Sequence, residues 1–171
     1  MWLAPSFELT PTLREPQPKG GQAAQGLGRS RGGFSTKMHV AAADASTPLR
    51  IVLTPGQPHA STVVEAVLEA VPDTCPIEAA VMDKAYDSEA IRVRLQACRI
   101  RPVIPTRRHR RQQPGFDREL YRRRNCVERL VGHLKQFRAV ATRYEKLACT
   151  FLALVQVVAA FLMARQFVNT G

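Results

Sequence analysis

A chain of 171 residues is long enough for one domain with a substantial core and too short for two comfortable ones. Apolar residues make up 45%, which excludes bulk disorder, while 25 basic residues against 14 acidic ones leave a net charge of +11 and a pI near 10.4. The four cysteines, Cys75, Cys98, Cys126 and Cys149, are widely spaced and form no C-x-x-C pair, which argues against a zinc site or a disulfide scaffold and for reduced thiols in a cytoplasmic protein.

In chain order, residues 1–18 hold Pro5, Pro11, Pro16 and Pro18 and no apolar run. They carry no secretory signal and read as an irregular N-terminal arm, with the domain proper spanning 19–171. Lys19–Gly33 is rich in Gly, Gln and Arg and reads as a loop; its single GRSRGG suits a glycine-relieved hairpin better than an RNA-binding tract. Thr36–Ala42 and Leu49–Leu53 predict a strand pair around an Asp44–Pro48 turn. Pro55-Gly56 breaks the chain, and Thr62–Val71 carries Val63, Val64, Val67, Leu68 and Val71 at helical spacing.

Ile77–Met82 predicts a short buried strand ending on Asp83, and Ser88 predicts the N-cap of a helix through Cys98. Pro102–Ile104 is a further short strand. An arginine-rich loop follows, and Asp117 caps a predicted long helix to about Arg138. Strands separated by helices make the class α/β with a mixed sheet. In the last segment, Leu147–Ala164, only Thr150 and Gln156 are clearly polar. A buried core helix is preferred there over a membrane span, because the segment is alone, alanine-rich and preceded by an α/β pattern.

The charge is localised. Between Arg99 and Arg143, fourteen basic residues face three acids, Asp117, Glu119 and Glu128, a surplus equal to that of the whole chain. A basic block in a neutral frame is the footprint of a polyanion-binding face, with nucleic acid the commonest partner and a solvated helix or membrane-surface patch the alternatives.

Two constellations could carry chemistry. On the long helix, Tyr121, Arg124, Glu128 and Lys135 fall within an arc of about 60° at ~100° per residue. Leu120, Val127, Leu130, Val131, Leu134 and Phe137 form the adjoining apolar stripe. The polar row therefore borders either a cleft or a solvated ion-pair face, and the geometry leaves both open. Asp83 directly follows a buried strand, where α/β sheets place functional groups, whereas Asp87 fits a local turn or cap.

The spacing Tyr121-x2-Arg124-x3-Glu128-x6-Lys135 resembles the Y-(2)-R-(3)-E-(6)-K signature of bacterial insertion-sequence DDE transposases. The stretches Gly28–His39, Leu53–His59, Met82–Ser88, Val103–Arg111 and Ala141–Lys146 are similar to that family in the same order. The resemblance implies a ribonuclease H-like mixed sheet flanked by helices, in which two Asp and one Glu hold Mg2+ or Mn2+ for cleavage at a transposon end and strand transfer to target DNA.

It makes Asp83 and Glu128 the catalytic, metal-binding carboxylates. It assigns DNA contacts to Tyr121, Arg124 and Lys135, with Arg143 in the Ala141–Lys146 stretch joining them. DNA is the implied partner, intact transposase or a second copy are candidates, and a membrane is not. The departure is upstream: Met1–Gly33 contains no Asp, and its acids are Glu8 and Glu15. The expectation is thus a sheet lacking its first strand. The chain would then be a truncated transposase inactive alone, with a non-enzymatic DNA-binding remnant or regulator of intact transposase as the alternative.

Overall fold

The longest ladder joins β4 (Gly33–Ala42) to β5 (Pro48–Pro55), antiparallel, with Thr36 opposite Pro55 and Ala42 opposite Pro48. Asp44 closes the expected turn between them, its Oδ1 accepting from the N–H groups of Ser46 and Thr47, both at 2.8 Å. The structure is a computed structural model that describes residues 1–3, 7–9, 21, 25–30, 33–55, 60–69, 76–108 and 115–169. Val71, residues 19, 20, 22–24, 31 and 32 of the expected loop and residues 109–114 of the arginine-rich loop lie outside the described residues.

Along the other edge of β4 run β1 (Trp2–Leu3) and β2 (Phe7–Leu9), both antiparallel to it. Trp2 lies opposite Ala42 and Leu9 opposite Thr36; the register steps by one residue between Leu3 and Phe7, so the two pieces follow one line. β1 pairs in parallel with β6 (Ala79–Val81), which pairs in parallel with β7 (Arg101–Val103). β3 (Gly28–Ser30) adds a short antiparallel piece to β4. The path is therefore β5, β4, the β1–β2 line, β6, β7, a mixed sheet with its first strand in the middle.

That corrects two expectations. The sheet does not lack its first strand, and residues 2–3 and 7–9 of the supposed arm are strand. The pieces are too short to display a two-residue period, and prolines between and after them argued against a strand, since proline cannot donate to a ladder.

Among the described residues six helices follow in chain order: α1 (Ala60–Leu68), α2 (Glu89–Ala97), α3 (Arg118–Arg122), α4 (Asn125–Lys135), α5 (Arg138–Ala141) and α6 (Ala148–Asn169). Ser88 occupies the N-cap position of α2, though its side chain makes no capping bond. Alternation along the central strands sorts the core. Leu9, Met38, Val40 and Ala42 pack with Val127, Leu130 and Leu134 of α4 and Phe151 and Val155 of α6. Leu3, Ala41, Ala80 and Met82 pack on the opposite face with Val63, Val64 and Val67 of α1 and Ile91 and Leu95 of α2.

α6 is longer than expected, at 22 residues, and is long and apolar enough to cross a membrane by length and composition. It is a core helix along one stripe only: Phe151, Val155 and Ala159 are buried, while Val157 and Phe161 are 70% and 54% exposed.

Polar groups are buried as well, His39 among them. His39 on β4 is 3% exposed; Nε2 lies 2.8 Å from Thr54 Oγ1 and Nδ1 3.4 Å from the Tyr86 hydroxyl. Burial, aided by the charge of Lys37, lowers its pKa from 6.5 to about 4. Tyr86 lies in the 3-10 turn Lys84–Tyr86, so the contact ties that turn to the sheet.

Two outcomes follow from this architecture. Leu3→Ala should destabilise the protein by roughly 2–5 kcal/mol in urea unfolding, the cost of a core cavity; a change below about 0.5 kcal/mol would mean that the first residues are an unpacked arm. His39 binds its proton less readily folded than unfolded, so its contribution is intact above pH 6.5 and is lost as pH falls towards 4. Unfolding free energies compared near neutrality and near pH 4 should show a loss on the order of 3 kcal/mol that His39→Gln removes.

Candidate nucleic-acid interface and carboxylate site

Asp83 stands at the carboxyl end of β6, one residue beyond the fully buried Met82. Its extended backbone makes it the N-cap of the 3-10 turn, and its Oδ1 accepts from Ala85 N at 3.2 Å. Asp87 serves the frame. It is 6% exposed and ion-paired to Arg92 at 2.9 Å, and it accepts from the backbone N–H of Arg107 at 2.9 Å. Arg92 also donates to Ile104 O at 2.9 Å, so the pair fastens the segment after β7 to α2.

The long helix expected from Asp117 to about Arg138 is divided, which corrects its wheel. Asp117 caps α3, accepting from Leu120 N at 2.8 Å as anticipated. Arg123 and Arg124 then form a tighter turn, in which the N–H groups of Arg123, Arg124, Cys126 and Val127 bond three residues back. Three residues per turn advance the phase about 20° more per residue than an α-helix. Cys126 is thereby brought into the core at 8% exposure, while Leu120, placed in the core by a uniform wheel, is only half-buried.

This turn assembles three of the four signature residues. The Arg124 guanidinium lies over the Tyr121 ring at 5.7 Å, and its Nη2 donates to Glu128 Oε1 at 2.6 Å. Phe116, which the spacing did not single out, stacks against Tyr121 at 5.5 Å. Arg124 is the inner partner, its side chain 17% exposed against 49% for Glu128, and its buried Nη1 has no hydrogen-bond partner. Lys135 is exposed at the last residue of α4, two turns or about 10 Å along the axis from Glu128, outside this cluster.

Arg143 requires a correction. Expected at the DNA face, it is 0% exposed. Nη1 donates to Thr36 Oγ1 at 2.6 Å, Nε to Glu145 O at 3.0 Å and Nη2 to Lys146 O at 3.2 Å, with the guanidinium 5.4 Å from the Phe151 ring. Burial lowers its pKa. An arginine spent on internal acceptors and an aromatic face cannot reach a phosphate in this conformation.

The rest of the basic block is at the surface. Ten of its fourteen cations are exposed, Arg124 is half-buried, and Arg110 and Arg111 lie outside the described residues. Its three acids are each matched: Asp117 with Arg101 at 3.3 Å, Glu119 with Arg122 at 3.3 Å and Glu128 with Arg124.

A divalent-metal site does not fit what is present. Among the described residues no three His, Cys, Asp or Glu side chains come together. Glu128 is engaged by a guanidinium, and Asp83 caps its own turn. The His39–Tyr86 contact behind Asp83 also escaped the sequence reading, although both residues lie in the family-like stretches Gly28–His39 and Met82–Ser88.

Comparison with known proteins identifies the family. The family described as Transposase DDE domain matches residues 8–163. The chain is 30% identical over 140 residues to a protein of Brucella ovis described as a transposase for insertion sequence element IS6501, covering 77% of this chain and 100% of that protein. No solved structure gives a significant match. The chain belongs to the transposase DDE-domain family.

Proposed function

We propose that this chain is the DNA-binding part of an insertion-sequence transposase that cannot by itself complete metal-dependent cleavage. The family is enzymatic and implies both DNA and a divalent metal. One observation carries the proposal: residues 1–33 supply the central strand of the sheet but contain no Asp, and among the described residues no three His, Cys, Asp or Glu side chains gather around Asp83 or Glu128. A first strand at the centre of a mixed sheet supports a ribonuclease H-like fold.

Binding does not need the metal. Arg124, braced by Tyr121 and Glu128, offers a preorganised guanidinium at the start of α4, and Arg118, Arg122, Arg123 and Arg129 on either side of it in the chain are exposed. DNA end and target are the substrates of this reading. A non-enzymatic regulator that engages intact transposase is the second, favoured by the Arg124–Glu128 ion pair, which occupies the carboxylate that chemistry would require.

Binding of duplex DNA should weaken linearly on a log–log salt scale, with a slope near −0.9 per phosphate contacted. Arg124→Ala and Lys135→Ala should each reduce that slope by about one, while Arg143→Met should lower stability and leave it unchanged. Salt-independent binding, or an Arg124→Ala protein that binds like the parent, would count against the interface. In a gel assay with Mg2+ or Mn2+ the purified chain should neither nick nor join DNA. Metal-dependent cleavage that disappears in Asp83→Ala would show the site to be complete after all.

A further inference from the structure

The far end of α4 borders a cleft that no role so far explains. Its walls come from three places: Ala45 and Ser46 of the turn between β4 and β5, His133 and Gln136 at the end of α4, and Leu162, Arg165 and Gln166 of α6. The cavity holds about 500 Å³, within the ~300–1,000 Å³ of sites that take small organic ligands. At ~100° per residue, His133 and Gln136 lie about 140° and 80° round α4 from Glu128, whereas Lys135 lies within about 20° of it. The cleft therefore opens on a different flank from the Arg124 cluster.

Its floor is fixed. Ala45 and Leu162 pack against the core, and Phe161 meets Phe137 edge-on at 6.0 Å, which sets the end of α6 beside the end of α4. Leu162, Arg165 and Gln166 stand three and then one residue apart, so a single face of α6 presents all three. Ser46 is held by Asp44, which accepts from its N–H at 2.8 Å and from its hydroxyl at 3.0 Å.

The donors decide what fits. Among the described residues no acid lines the cleft, and the oxygens of Asp44 in the neighbouring turn already accept four hydrogen bonds from Ser46 and Thr47. Arg165 brings a planar fork of N–H groups and enters no ion pair among the described residues. His133 and Gln136 are exposed, and their side chains make no hydrogen bond among the described residues. One permanent cation, an imidazole and two carboxamides around an acid-free cleft select an oxyanion. Donors from α4 and α6 approach from two sides, which suits a tetrahedral phosphate better than a planar carboxylate.

We infer that this cleft is a phosphate-ester site, separate from the Arg124 cluster. Arg165 takes two oxygens of the phosphate, His133 and Gln136 donate to the others, and the apolar floor of Ala45 and Leu162 receives the attached carbon group. A bare phosphate ion would fill only a fraction of the cavity, so the attached group is part of the fit. A backbone phosphate of DNA and a free nucleotide both offer this chemistry.

In the nucleic-acid-free chain, side-chain NMR signals of His133, Gln136 and Arg165 should move saturably as adenosine monophosphate is added at constant ionic strength. Arg165→Ala should raise that dissociation constant about tenfold or more, the loss of a charge-assisted contact, with circular dichroism unchanged. This titration uses no duplex, so it succeeds or fails apart from the proposed DNA interface. Duplex DNA then separates the two sources. If Arg165→Ala also lowers the salt slope of duplex binding by about one, the ligand is backbone phosphate; an unchanged slope assigns the cleft to a free phosphate ester. Signals that do not saturate, equal movement with acetate, or an Arg165→Ala protein that binds the nucleotide like the parent would overturn the inference.

Discussion

The pairing of Trp2–Leu3 and Phe7–Leu9 into the middle of the sheet is the constraint on which the remainder rests. β4 and β5 form an antiparallel pair, and β6 and β7 a parallel one; the β1 line is the strand that hydrogen-bonds to both sides. Its side chains also reach the two cores, Leu3 among α1 and α2, Leu9 among α4 and α6. Without it, the strand that delivers Asp83 would have no fixed relation to the sheet under α4, where Glu128 sits. A short, interrupted strand thus carries an architectural weight out of proportion to its length.

Two arginines show why a count of cations overstates a DNA face. Arg143 belongs to the basic block by sequence, yet its guanidinium is spent on Thr36, two backbone carbonyls and the ring of Phe151. Arg92, 3% exposed, is held by Asp87 and Ile104 O. A buried guanidinium persists only where acceptors replace water, and its planar fork lets one side chain join several segments. In Arg143 it joins β4 to the segment that leads into α6. These residues are cationic by composition and structural by position.

The parts legible in the sequence were those with enough residues to show a period or a cap. Thr36–Ala42 and its turn at Asp44, the strand before Asp83 and the cap at Asp117 all appeared where residue pattern placed them. The first strand was hidden because two and three residues cannot display alternation and nearby prolines spoke against it. The break at Arg123–Arg124 was hidden because nothing there is a helix breaker. Three-residue hydrogen bonds tighten the turn without leaving the right-handed region, and only the phase of the later residues records it. The fate of Arg143 depends on Thr36, 107 residues away, a distance no local pattern spans.

The Arg124–Glu128 pair gives the proposed loss of chemistry a physical sense. Three carboxylates gathered without metal repel one another, and the cost is recovered when a divalent cation enters. On the proposed reading, with no Asp on the first strand that balance changes, and Glu128 finds its counter-charge four residues back, in the turn that leads into α4, at 2.6 Å. The pair is half-exposed on its Glu side and contributes little to stability. Its effect is on the sign of the surface: the charge of Glu128 is cancelled, inside a block in which ten of fourteen cations are exposed. On the proposed reading, the change that removes metal-dependent cleavage thus also reduces the local repulsion between the carboxylate site and DNA phosphate.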